Sequence, residues 1–209
     1  MYFEKKGSGS EYFNDIKFLI NAVSDDKVRL FMNCINIETD NDIVYMAATN
    51  GRILHFVEYK KDDFPLDDGM YEIKINQKEV VSLERNDELG EFPNWKLFFC
   101  KENIKVIKNY IFRENKKNHD DYSFYKLNFI LSNLGYCINY TYLKYLYDIG
   151  LSWDIYLNPY KQNSALKFVS ANYTAVIMPI GVQDDCIPII QSAFSLLDKT
   201  LKSVSDDTE

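Results

Sequence analysis

The chain has 209 residues, of which 46% are hydrophobic and 15% aromatic, enough apolar material for a buried core and an argument against disorder of the whole chain. A formal net charge of -7 excludes a grip on nucleic acid or anionic membrane by overall charge, so any contact with a polyanion has to be local. Cys34, Cys100, Cys137 and Cys186 stand far apart without a CxxC pair, and His55 and His119 are the two imidazoles; neither a zinc centre nor a disulfide framework is signalled, and reduced thiols packed as small hydrophobes are expected.

The first ten residues, MYFEKKGSGS, lack a signal-peptide apolar stretch and read as a flexible N-terminus. No apolar run approaches the ~20 residues of a membrane span, so a cytoplasmic protein without membrane partners is expected. In 11–23, Phe13, Ile16, Leu19, Ile20 and Val23 fall at three- and four-residue spacing, which predicts a helix with one apolar face. From 29–38 and 43–59 the chain reads as strands around the turn ETDND, a β-hairpin, with a second tight turn or bulge at Asn50 and Gly51.

A polar loop KKDDFPLDDG leads into the strand MYEIKI, and NQKEVVSLERND reads as a short helix or turn. The region after 91 reads as aromatic strands on either side of the charged loop ENKKNHDD, and it is the least legible part of the chain. Ile138, Tyr142, Leu143, Leu146 and Ile149 then predict a second helix stopped by Gly150. Three strands follow, SWDIYLN, SALKFVSA and YTAVIMPI. The last closes on a proline, which removes a ladder donor where Val176, Met178 and Ile180 present apolar side chains. Beyond it, Ile190, Phe194, Leu197, Leu201 and Val204 lie at helical spacing behind Pro188, an appended C-terminal helix over 183–204 before the acidic tail 205–209.

Four stretches, in this order, resemble the bacterial sliding clamp, the β subunit of the replicative DNA polymerase. MNCINIETDNDIVYMAATNGRIL is similar to that family's second-domain hairpin with its Ala-Thr-Asp-Gly-His-Arg-Leu run, and EFPNWKLF to the aromatic-Pro-Asp segment leading out of that domain. INYTYLKYLYDI resembles an aromatic-Asn helix entry, and SALKFVSANYTAVIMPI the last two strands of the third domain with their aliphatic-Met-Pro-aliphatic ending. The resemblance covers 11–181. It implies an α+β, DNA-clamp-like domain built from two helix-plus-antiparallel-strand halves over 11–182, divided as 11–95 and 96–182, with the C-terminal helix appended. The order is that of the first half of a second domain joined to the second half of a third.

The resemblance also implies sites. In clamps the Thr-Asp-Gly turn and the Met-Pro strand line an apolar cleft that captures short peptides, which carries over to Thr49, Gly51, Arg52 and Leu54 on one wall and Val176, Met178, Pro179 and Ile180 on the other. The family has His-Arg where this chain has Arg52 and Ile53, so the polar rim differs. A second reading of the Met-Pro-Ile run is that it is core beneath the C-terminal helix. Clamps thread double-stranded DNA through a helix-lined ring, which would place Lys17 and Lys144 toward DNA in a homo-oligomer, although two lysines are a thin lining. The denser basic stretch Lys101, Lys105, Lys108, Arg113, Lys116 and Lys117, interleaved with Tyr110 and Phe112, reads either as a nucleic-acid contact or as a solvated strand and loop.

Nothing in the sequence points to catalysis. There is no glycine-rich phosphate loop, and the pairs Asp25 and Asp26, Asp67 and Asp68, Asp184 and Asp185 are adjacent on expected turns, where carboxylates diverge rather than converge on a metal. The expected protein is a non-enzymatic accessory factor of DNA replication or repair without cofactor or metal, whose partners are double-stranded DNA, a DNA polymerase or other clamp-binding peptide, and further copies of itself. The alternative is a clamp-fold interaction or regulatory module that threads no DNA.

Overall fold

Phe13, Ile16 and Leu19 recur every three residues, and around that stripe the chain winds into helix α1 (Ser10–Ile20), burying all three together with Phe18. The computed structural model describes residues 2–4, 10–75, 80–99, 104–112, 122–158 and 164–180. Their other elements, in chain order, are β1 (Tyr2–Glu4), β2 (Cys34–Asp40), β3 (Ile43–Thr49), β4 (Ile53–Lys60), β5 (Gly69–Ile75), β6 (Val80–Arg85), β7 (Ile104–Ile111), α2 (Tyr122–Asn133), α3 (Tyr140–Tyr147), β8 (Ser152–Leu157), β9 (Leu166–Ser170) and β10 (Tyr173–Ile177). The chain divides into two compact units, Met1–Lys101 with Lys167–Ile177, and Glu102–Leu166 with Met178–Glu209.

In the first unit the strands follow the order β1-β6-β5-β2-β3-β4-β10-β9, and the pairs whose register is known are antiparallel. The β2–β3 hairpin turns at Asn41, whose left-handed φ of 54 suits an asparagine. Strand β10 comes from far along the chain and lies against β4 with Val176 opposite Leu54 and Ile177 opposite Ile53. Helix α1 packs on β3, β4 and β6. Its inner side is fastened by polar contacts: Asp15 is buried and accepts hydrogen bonds from the hydroxyls of Tyr59 on β4 and Tyr173 on β10. His55 is fully buried, its ring stacked on Phe18 with centroids 4.1 Å apart. Its Nδ1 is 2.8 Å from the Phe18 carbonyl oxygen, which can only accept, so Nδ1 carries the proton.

The second unit pairs β7 with β8 and packs two helices of its own. Asn139 caps α3 by accepting from the Thr141 amide at 2.9 Å, and past its end Gly150 takes φ +72, as the sequence pattern predicts. Trp153 is fully buried and its indole N–H donates to the Leu146 carbonyl. Tyr136 is fully buried as well, and its hydroxyl donates to the Asn158 carbonyl at 2.6 Å.

Three expectations are corrected. The stretch expected as a helix or turn after 75 contains strand β6: Val81, Ser82 and Leu83 are buried one after another and Glu84 and Arg85 are exposed, a buried run too short to stand out among helix-forming Gln, Lys and Glu. The segment expected as an aromatic strand after the charged loop is helix α2, because Phe124, Leu127 and Leu131 form one buried face at helical spacing, and aromatic content outweighed that periodicity in the sequence. Strand β1 lies inside the first ten residues, where flexibility was expected, and pairs with β6. The charged loop ENKKNHDD and the helix expected over 183–204 lie outside the described residues.

Candidate functional site

The turn between β3 and β4 is held by its own side chains. Thr49 Oγ1 donates to the Ile53 carbonyl at 2.7 Å and accepts from the Gly51 amide at 3.1 Å, while Asn50 Oδ1 accepts from the Arg52 and Ile53 amides at 3.0 Å each. Gly51 sits at φ +84, a conformation that a side-chain-free residue adopts without penalty. Four side-chain bonds in a five-residue turn leave it little freedom, and they present Gly51 and Arg52 to solvent.

This brings Thr49, Gly51, Arg52 and Leu54 together, with Val176 across the β4–β10 ladder from Leu54. Leu54 and Val176 are only 5% and 2% exposed, and Thr49 is buried, so on this unit the turn backbone, Gly51 and Arg52 form the accessible part. A further residue, Arg29, was missed by reasoning from motifs. Its guanidinium and Met32 are the atoms a Cβ at Gly51 would meet first, and Nε of Arg29 is fixed to Asp26 at 2.8 Å. Asp26 also accepts from the Val28 amide, and these bonds hold its carboxyl below the usual carboxylate range. Val28 beside it is 88% exposed. The signal for this loop was present as SDDKVR, an aspartate three residues before an arginine, but nothing in the sequence linked it to residue 51.

Met178, Pro179 and Ile180 belong to the second unit. They follow β10 rather than extending it, and the Ile180 amide donates to the Cys137 carbonyl at 2.8 Å. Met178 and Ile180 are exposed.

Lys17 is exposed on α1 and Lys144 on α3. Asp15, next to Lys17 in the pattern, turns inward to its two tyrosines and does not oppose it on the surface. Of the denser basic stretch, Lys108 is exposed on β7, Lys105 lies on the same strand, and Lys101, Arg113, Lys116 and Lys117 lie outside the described residues. The interleaved aromatics are committed elsewhere: Tyr110 donates to the Ser123 carbonyl, and Phe112 is buried and stacked on Phe124 at 5.0 Å. Phe112, so buried, offers no open face for a base.

The chemistry of the remaining candidates is structural. Burial pushes the Cys34 thiol up to about 12 and raises that of Cys137, so neither is a thiolate at neutral pH. Burial lowers His55 to about 4, partly opposed by its bond to Phe18. Asp26 and Asp68 serve turns, the latter accepting from Thr39 at 2.6 Å, while Asp184 and Asp185 lie outside the described residues. Among the described residues no cluster of three His, Cys, Asp or Glu side chains could hold a metal ion, and no helix is long and apolar enough to cross a membrane.

No protein-family model matches the sequence, and no curated protein matches it. Solved structures do match the fold. The DNA polymerase III β subunit of Thermotoga maritima superposes with a TM-score of 0.57 at 11% identity, over 88% of this chain and 65% of that one. The sliding clamp of Pseudomonas aeruginosa gives 0.56 at 15% identity, over 87% and 66%. The Helicobacter pylori β clamp, solved bound to a DNA ligase peptide, gives 0.52 at 9% identity, again over 87% and 66%. The chain thus spans less than two-thirds of the length of these clamp subunits. What it shares with them is architecture: this is an α+β protein with the fold of bacterial DNA sliding clamps.

Proposed function

We propose that the protein is a sliding-clamp-like, non-enzymatic accessory factor of DNA replication or repair that docks a partner peptide. The fold carries this reading, and the braced turn at Thr49, Gly51, Arg52 and Leu54, whose sequence resembles the clamp family's Thr-Asp-Gly turn, supports it. A rigid turn with exposed Arg52 suits a short linear ligand, because a preformed backbone lowers the ordering cost of binding. Val176 supports that turn from beneath through Leu54, and Met178, Pro179 and Ile180 offer apolar contacts of their own on the second unit. The likeness to a clamp solved with a DNA ligase peptide supports the same class of partner. Titration with a clamp-binding peptide, followed by NMR, should shift the Gly51 and Arg52 amides. Saturating peptide without a shift there removes this reading.

Double-stranded DNA is the second partner, reached by encirclement in a homo-oligomer. One chain of this length cannot surround a duplex, and the net charge of -7 leaves the task to local bases such as Lys17 and Lys144. A closed ring predicts an oligomer by light scattering and retention on circular DNA that linearisation releases. A monomer without salt-sensitive retention leaves the alternative, a clamp-fold interaction or regulatory module that threads no DNA.

A further inference from the structure

We propose that the loop 24–33 extends the turn at Gly51 into a docking surface for a peptide that carries a carboxylate beside apolar side chains, an inference that rests on the reading of that turn as a peptide site. The loop is closed by its own bonds. The Ser24 amide donates to the Met32 carbonyl at 2.9 Å, and the Asn33 side-chain amide donates to the Asp26 carbonyl at 2.8 Å. The Asp26 carboxylate in turn accepts from the Val28 amide and from Nε of Arg29, each at 2.8 Å. Along this frame cation and apolar side chain alternate toward solvent: Lys27 is exposed, Val28 88% exposed, the Arg29 side chain half exposed and Leu30 51% exposed. An apolar side chain fixed on a braced loop stays in water until a partner covers it, and the frame lowers the ordering cost of that contact.

Charge names the partner. Nε of Arg29 is spent on Asp26, whereas its two Nη groups make no bond among the described residues. Nη1 lies over Gly51, 3.7 Å from where a Cβ would stand, so the absent side chain keeps the approach to it open. Arg52, the next residue, is exposed and makes no ion pair among the described residues. Two guanidinium-bearing residues therefore border Gly51 in a chain whose net charge is -7, and a guanidinium fork matches a carboxylate with paired hydrogen bonds. A DNA strand would meet the arginines through its phosphates but leave Val28 and Leu30 in water. A peptide that sets a carboxylate between apolar side chains satisfies both.

A random peptide library displayed on phage and panned on the full chain tests the proposal. Recovered peptides that shift the Gly51 amide are synthesised as such and with each Asp or Glu replaced by Asn or Gln. The acidic form should bind about tenfold more tightly than the amide form, the worth of one charge-assisted hydrogen bond, and should shift the Val28 and Arg29 amides as well. Arg29→Gln with Arg52→Gln should bring that ratio close to one. Arg52→Gln alone, which removes no side-chain bond among the described residues, should lower it by itself. Val28→Ser, at a position that contributes nothing to the core, should weaken both forms alike. Peptides that shift Gly51 but bind equally well as acid and amide overturn this inference and leave the peptide site standing. A library from which nothing shifts Gly51 removes both. A short DNA duplex that shifts the Val28 and Arg29 amides where the acidic peptides do not would assign the surface to nucleic acid and overturn the proposal.

Discussion

Acidification should destabilise the first unit through His55. The imidazole is fully buried between β4 and α1, stacked on Phe18, and its Nδ1–H is spent on the Phe18 carbonyl. Burial lowers its pKa from 6.5 to about 4, while the hydrogen bond to Phe18 opposes the change. Because the folded value is depressed, the unfolded chain binds the extra proton first: the stabilisation is fully present above pH 6.5 and is lost as the pH falls toward 4. The difference corresponds to about 3 kcal/mol over the whole range, and to about 2 kcal/mol between pH 7 and pH 5, a window in which ordinary carboxylates remain ionised. Urea unfolding at those two pH values measures it. NMR of the imidazole protons supplies the companion reading, since His55 should stay neutral at pH 5, where an ordinary imidazole is charged. Equal stability at pH 7 and 5, or a His55 signal that titrates near 6.5, refutes the reasoning.

Removing the acceptor beneath α1 by Asp15→Ala should cost about 3 kcal/mol in urea unfolding, because the Tyr59 and Tyr173 hydroxyls both lose a charged partner; a cost under 1 kcal/mol would show that water replaces it. Gly51→Ala should cost about 1 kcal/mol through its backbone alone, since at φ +84 the new Cβ meets Arg29 and Met32 only at 3.7 and 3.8 Å; thermal unfolding checks it, and an unchanged midpoint contradicts the strained turn. Trp153→Ala should destabilise the second unit by about 3–5 kcal/mol, opening a cavity and orphaning the Leu146 carbonyl, with hydrogen exchange rising in α3 and β8; retained protection there would place the core elsewhere.

Where one physical signal acted alone, the sequence sufficed. The three-residue spacing of Phe13, Ile16 and Leu19 specifies α1, Asn139 and Gly150 bracket α3, and Asn50 with Gly51 makes the β3–β4 turn, because caps and left-handed turns depend on a few adjacent residues. The clamp fold was expected on different grounds, a resemblance carried by four short stretches, and the likeness to solved clamps bears out the fold. Two signals in conflict defeated the sequence reading at β6 and α2: helix-forming composition outweighed a three-residue buried run in the first, and aromatic composition masked the helical period of the buried residues in the second.

Only tertiary structure could pair β10 with β4 across more than a hundred residues, sink Leu54 and Val176 into the core, and bring Arg29 beside Gly51, because each depends on which faces meet when the sheet closes. It also decided that YTAVIMPI is two things: five residues of ladder, then three that leave it, the last bonded to Cys137. Proline sets that boundary, since it brings no amide to the ladder, and the apolar side chains on either side of it are left outside the strand.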